Sequence, residues 1–224
     1  ASDVYKRQAN DGSPANTAMQ LDATSNISLS NNLDLNTGNT VFGKSAWNIA
    51  STSTNNASDY NTIIGDSAMG QGTIAGATYN VGVGYKALNA LTIGDYNVAI
   101  GNQPMLTATA NEGNIAIGHD ALGDIAVGEE YNVAIGHAAM SKVDEGTANG
   151  DADGNIAIGY AALYGGDFAG SDLQLQGNVA IGYEALDATG TAAQTGTIAI
   201  GYQAGTAINS NDASYSVLLG YKAG

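Results

Sequence analysis

One five-residue phrase is written along this chain again and again: NVAIG at 97–101, NIAIG at 114–118, NVAIG at 132–136, NIAIG at 155–159, NVAIG at 178–182 and TIAIG at 197–201. With looser copies included, ten repeats align on one glycine: Gly43, Gly65, Gly84, Gly101, Gly118, Gly136, Gly159, Gly182, Gly201 and Gly220. Successive glycines are 17 to 23 residues apart. A fixed minimum step with tolerated insertions is the signature of a solenoid whose extra residues leave as loops. The expected fold class is therefore all-β, a parallel β-roll or β-solenoid of about ten short coils spanning 39–224.

Within the phrase, large β-branched residues alternate with small ones, so strand geometry assigns them to opposite faces. The residue before the glycine is Ile100, Ile117, Ile135, Ile158, Ile181 or Ile200 in the best copies, and these are expected to be the structural core. The residue between the two aliphatics is Ala99, Ala116, Ala134, Ala157, Ala180 or Ala199. So consistent a preference for a small side chain leads to the expectation of an outward surface that another backbone approaches closely. Asn97, Asn114, Asn132, Asn155 and Asn178 recur at the start of the phrase and are expected to stack as an amide ladder at the strand spacing of about 4.8 Å.

Composition narrows the functional classes. Among 224 residues there are 21 acidic and 6 basic ones, a net charge of −15, which repels phosphate backbones and argues against nucleic-acid binding. Cysteine is absent, so there is no disulfide framework, thiolate nucleophile or cysteine metal site. No run of apolar residues is long enough for a membrane-spanning helix, and no membrane insertion is expected. Ala1–Gln8 reads as a translated sequencing-adapter end and is set apart from the fold argument; residues 9–38 are a polar lead-in of short alternating segments. The last coil carries no cap, so truncation at the C-terminus is expected.

The phrase N-[VI]-A-I-G-x-x-A resembles the head repeat of YadA-like trimeric autotransporter adhesins. The longer variants, such as NVAIGYEALDATGTAAQTGTIAIGYQAG, resemble related repeats of phage tail-fibre and virion proteins. The resemblance implies a left-handed roll and a homotrimer, with the alanine face as the trimer interface. It implies a non-catalytic attachment fibre on a virion, binding a host cell-surface glycan or protein. A bacterial adhesin head on the cell surface is the alternative. The spacing departs from many adhesin heads, and Val or Ile follows the Asn where those heads have Ser. An ice-binding solenoid would need threonines in constant register, which Thr107, Thr109, Thr189 and Thr191 do not provide.

Site-like features are few, and no enzyme, cofactor or metal centre is expected. Asn149, Asp151 and Asp153 begin a calcium-loop spacing, but Tyr160 stands where the closing Glu belongs, so a solvated acidic turn is the preferred reading over calcium. His119 and His137 occupy one position in consecutive repeats, mostly Tyr elsewhere; a ladder of flat rings is the preferred reading over metal binding by the pair. Tyr60, Tyr79, Tyr96, Tyr131 and Tyr215 share a register just before the Asn row, where they are expected to cover strand ends. The longest insertions, Ser141–Gly154 and Tyr164–Gly177, are the expected recognition loops.

Overall fold

Each copy of the phrase forms a strand of only three residues, because the glycine that follows turns the chain through a corner. The computed structural model describes residues 20–21, 27–28, 38–47, 58–69, 74–125, 127–143, 152–165, 174–187, 194–206, 208 and 214–224. The first described elements are an antiparallel pair, β1 (Gln20–Leu21) and β2 (Ile27–Ser28). The repeats then supply β3 (Thr40–Phe42), β4 (Thr62–Ile64), β5 (Val81–Val83), β6 (Val98–Ile100), β7 (Ile115–Ile117), β8 (Val133–Ile135) and β9 (Ile156–Ile158). Four more complete the main stack or flank it: β10 (Leu175–Gln176), β11 (Val179–Ile181), β12 (Gln194–Thr195) and β13 (Ile198–Ile200); β14 (Val217–Leu219) is the last.

Ten of these strands make one parallel sheet in chain order, from β3 to β14, while β10 and β12 pair in a second, shorter one. The register never slips: Val98 lies beside Ile115, Ala99 beside Ala116 and Ile100 beside Ile117, and the same three-column match recurs at every step. The chain is thus a β-solenoid. At the usual strand spacing, ten stacked strands extend on the order of 45 Å.

The repeat glycine has a steric cause. In Gly43, Gly65, Gly101, Gly118, Gly136, Gly159, Gly182 and Gly201, φ lies between +136° and +144°, and a Cβ would collide with the carbonyl of the next glycine in the stack. After the corner, two residues per coil take left-handed backbone: Lys86 and Leu88, Gln103 and Met105, Asp120 and Leu122. For a residue with a Cβ, that conformation costs about 1–2 kcal/mol. Hydrogen bonds to neighbouring coils offset the cost. Gln103 N–H donates to Tyr85 O at 2.8 Å, and Met105 N–H donates to Ala121 O at 3.0 Å.

The interior corrects the expected sidedness. Ala99, Ala116, Ala134, Ala157, Ala180 and Ala199 are fully buried inside the single chain, at 0% exposure. They are not an outward surface and therefore form no interface between chains. Ile100, Ile158 and Ile200, expected as core, are 36–39% exposed on the outer face. Ile117, Ile135 and Ile181 lie on that face too, half-buried between neighbouring strands.

The reason is the narrowness of the coil. The wall opposite the strands sends Met69, Leu88, Met105, Leu122, Met140, Leu163 and Leu186 into the interior, all with no exposure. These long side chains fill the space, so the facing strand position has room for little more than a methyl group. At Gly82, an added Cβ would come within 3.3 Å of Leu88 Cδ1 and 3.2 Å of Ile63 Cδ1. Val41, Ile63 and Leu218 are the larger residues of this column, at or near its ends, and Gly82 beside Ile63 leaves that side chain its room. A further buried row, Ile74, Leu91, Ala108, Ile125 and Val143, closes the core.

Candidate functional site

The asparagine ladder sets the positions of everything outside it. Asn97, Asn114, Asn132, Asn155 and Asn178 are completely buried. Each backbone N–H donates to the side-chain oxygen of the preceding Asn; Asn132 to Asn114 is 2.9 Å and Asn155 to Asn132 is 2.9 Å. Each side-chain NH₂ donates both down the ladder and across the coil. Asn132 Nδ2 reaches Asn114 Oδ1 at 3.2 Å and Ala152 O at 2.6 Å; Asn155 Nδ2 reaches Leu175 O at 2.6 Å. A carboxamide suits this position because it offers two donors and an acceptor with two lone pairs on one short stem. Thr197 continues the row with its backbone N–H on Asn178 Oδ1 at 2.9 Å, and there the cross-coil amide is lost.

Outside, three parallel stripes run along the stack. The first is aliphatic: the outer positions of β5 to β13 are Val or Ile in every strand of the main sheet, each partly exposed. The second lies just past the glycine corner. His119, His137, Tyr160, Tyr183, Tyr202 and Tyr221 form one continuous stack, with ring centroids 4.8–5.3 Å apart and interplanar angles of 6–16°. This is the ladder of flat rings expected for that register. The third is shorter, Tyr60–Tyr79–Tyr96, at 4.9 and 5.2 Å. Tyr131 stands further along the same register, and a side chain at Gly113 would run into its ring. Because the rings lie face to face, their faces are occupied by neighbours and only their edges meet water. A sugar ring, which packs on an open aromatic face, finds one only at the ends of a stack.

The electrostatics of these stripes follow the acidic composition. Glu112 raises the pKa of Tyr131 by its negative charge, with smaller contributions from burial and from Glu130 and Asp153. A hydrogen bond with Glu184 raises that of Tyr183. The ammonium of Lys142 bonds to the Asp124 carboxylate, which raises its pKa. Asp187 is raised above the usual carboxylate range first by burial and then by the charge of Glu184.

Asn149 and Asp151 of the calcium-like spacing lie outside the described residues, as do the middles of both long insertions. Asp153 is described: its Oδ1 accepts the Glu130 backbone N–H at 2.8 Å, a link between coils. Among the described residues no group of three or more His, Cys, Asp or Glu is placed to hold a metal ion. No described helix is long and apolar enough to cross a membrane.

Two features were not anticipated from the residues: the inward alanines and the left-handed Leu/Met row. A signal for the first was present. Asn97 and Ala99 are two apart and so share a face, and an amide ladder needs shelter from water to be selective. No family model, curated protein or solved structure matches the chain.

Proposed function

We propose that this chain is a section of a stiff, non-catalytic attachment fibre in which three copies, each a left-handed roll, pack through the aliphatic stripe. The observation that carries this is the stripe itself. Val98, Ile100, Ile115, Ile117, Val133, Ile135, Ile156 and Ile158 hold one outward face over four consecutive coils, none of them buried. About 18 aliphatic or aromatic side chains on that face, with Ile100, Ile156 and Ile158 36–37% exposed and Phe42, Val217 and Leu219 at its ends 59–63% exposed, present on the order of 800 Å² of apolar area or more. Soluble monomers seldom leave so large a contiguous patch uncovered, and an area of this size on each partner is what a specific interface needs.

The occupant is a second and third copy because the stripe is straight, periodic and continuous over the sheet, which self-association in register would match coil for coil. The two long insertions would present receptor-binding groups many times over on one rod, so that weak contacts act together. A phage-like tail fibre is the setting that joins a long repetitive shaft to host-surface recognition.

Light scattering on the purified chain tests the assembly. The expected mass is three times the 22.5 kDa of one chain. Binding of the labelled protein to bacterial cells, lost on excision of residues 166–173, which spares β10 and the Lys142–Tyr164 and Asn155–Leu175 hydrogen bonds, tests the attachment role. A monomer in solution, or cell binding unaffected by either excision or monomerisation, would overturn this reading.

A further inference from the structure

Two members of the ring ladder differ chemically from the rest. His119 and His137 are the only histidines in the chain, and they are adjacent in the stack. They follow the corner glycines of β7 and β8, so their backbones are fixed by Gly118 N–H on Ile100 O and Gly136 N–H on Ile117 O, both 2.8 Å. Both side chains are exposed. Their rings are 4.8 Å apart and within 6° of parallel, and Tyr160 walls the pair above at 5.3 Å from His137. Asn102 occupies the same register one coil below and is also exposed.

We propose that His119 and His137 together chelate one transition-metal dication. Neutral imidazole is the commonest nitrogen ligand for zinc, copper and nickel. A metal–nitrogen bond is about 2.0–2.1 Å, so two imidazole nitrogens on one tetrahedral ion stand roughly 3.3 Å apart. The rings are stacked 4.8 Å apart, and their nitrogen lone pairs, which lie in the ring planes, run side by side rather than toward one point. Binding therefore turns the two exposed rings out of the stack about their Cβ–Cγ bonds until one nitrogen of each faces the same ion, while the hydrogen-bonded backbone keeps the two side chains on adjacent coils. The ion keeps open positions, filled by water or by a carboxylate or imidazole of another molecule, so the site is suited to metal-bridged contact at the fibre surface. The pair belongs to a single chain and does not depend on how copies assemble.

The probe is zinc chloride, added to the untagged protein and followed by isothermal titration calorimetry and by thermal stability. The expected result is one ion per chain. His119→Tyr and His137→Tyr keep the ring ladder, since tyrosine occupies this register in later coils, and each alone should weaken zinc binding at least tenfold. The double variant should be no weaker than either single one, the signature of a chelate. Zinc uptake unchanged in the single variants would overturn the proposal by assigning the metal to surface carboxylates. Two independent sites, each removed by one substitution, would overturn it as well, and so would no binding at about 1 mM zinc. Circular dichroism of each variant distinguishes lost binding from lost fold.

Discussion

Asn132→Ala tests the ladder at its centre. Asn132 Nδ2 donates to Asn114 Oδ1 and to Ala152 O, while its Oδ1 accepts the backbone N–H and the Nδ2 of Asn155, at 2.9 and 3.0 Å. After truncation Asn114 Oδ1 retains the Asn132 backbone N–H, and Asn155 Nδ2 retains Leu175 O. Ala152 O and the Asn155 N–H lose the Asn132 amide, in an interior closed to water. Each buried polar group left unsatisfied costs about 1–3 kcal/mol, so the variant should lose about 4 kcal/mol. For a chain of this size that corresponds to a fall in Tm of roughly 8–16 °C. Urea titration followed by circular dichroism reads the change, and Asn102→Ala, on the exposed surface, serves as the control with a shift near zero. Asn132→Asp should fare no better near neutral pH, because a carboxylate sets an acceptor against Asn114 Oδ1 and Ala152 O. A loss below about 1 kcal/mol for Asn132→Ala would refute the view that these amides join the walls of the coil.

Other outcomes follow from the same geometry. Ala157→Glu buries a charge with no partner and should abolish the cooperative melt, whereas Ile158→Glu leaves the single chain folded. The pair Ile135→Glu and Ile158→Glu should lower the solution mass to that of one chain without changing the circular dichroism spectrum. Gly136→Ala forces a Cβ onto the Gly159 carbonyl at an unfavourable φ and should cost several kcal/mol in a thermal melt, on the order of 3 or more. Asp187, whose folded pKa is raised, binds protons more readily in the native state; its contribution to stability is lost as pH rises through that raised value. Asp187→Asn should therefore raise Tm at pH 7 and leave it unchanged well below the ordinary carboxylate range, near pH 3.

Much of this architecture was legible because a solenoid writes its geometry as a period. The glycine column, the parallel stacking and the Asn97-to-Asn178 ladder follow from register alone. The ring stack of His119, His137 and Tyr160 follows as well, once the coils are stacked. What periodicity could not decide was which face of the strand points inward. Residue size suggested Ile158 in and Ala157 out, a rule suited to wide cores filled from one side. Here Leu163 and its equivalents fill the coil from the opposite wall, in a left-handed conformation that a leucine rarely adopts and that nothing local encodes. The tight interior then demands alanine, and the aliphatic residues are left for the outside. Reversing the face also relocates the surface available to other copies, from Ala134 and Ala157 to Ile135 and Ile158.

The absence of cysteine makes the sidedness directly measurable, since any introduced thiol is the only one in the chain. Ala157→Cys and Ile158→Cys can be challenged in parallel with a maleimide under native conditions and with an oxidant. Ala157→Cys should stay unlabelled until denaturant is added. Ile158→Cys should label, or cross-link to another copy on oxidation. Rapid native labelling of Ala157→Cys, with Ile158→Cys inert to both reagents, would contradict the account.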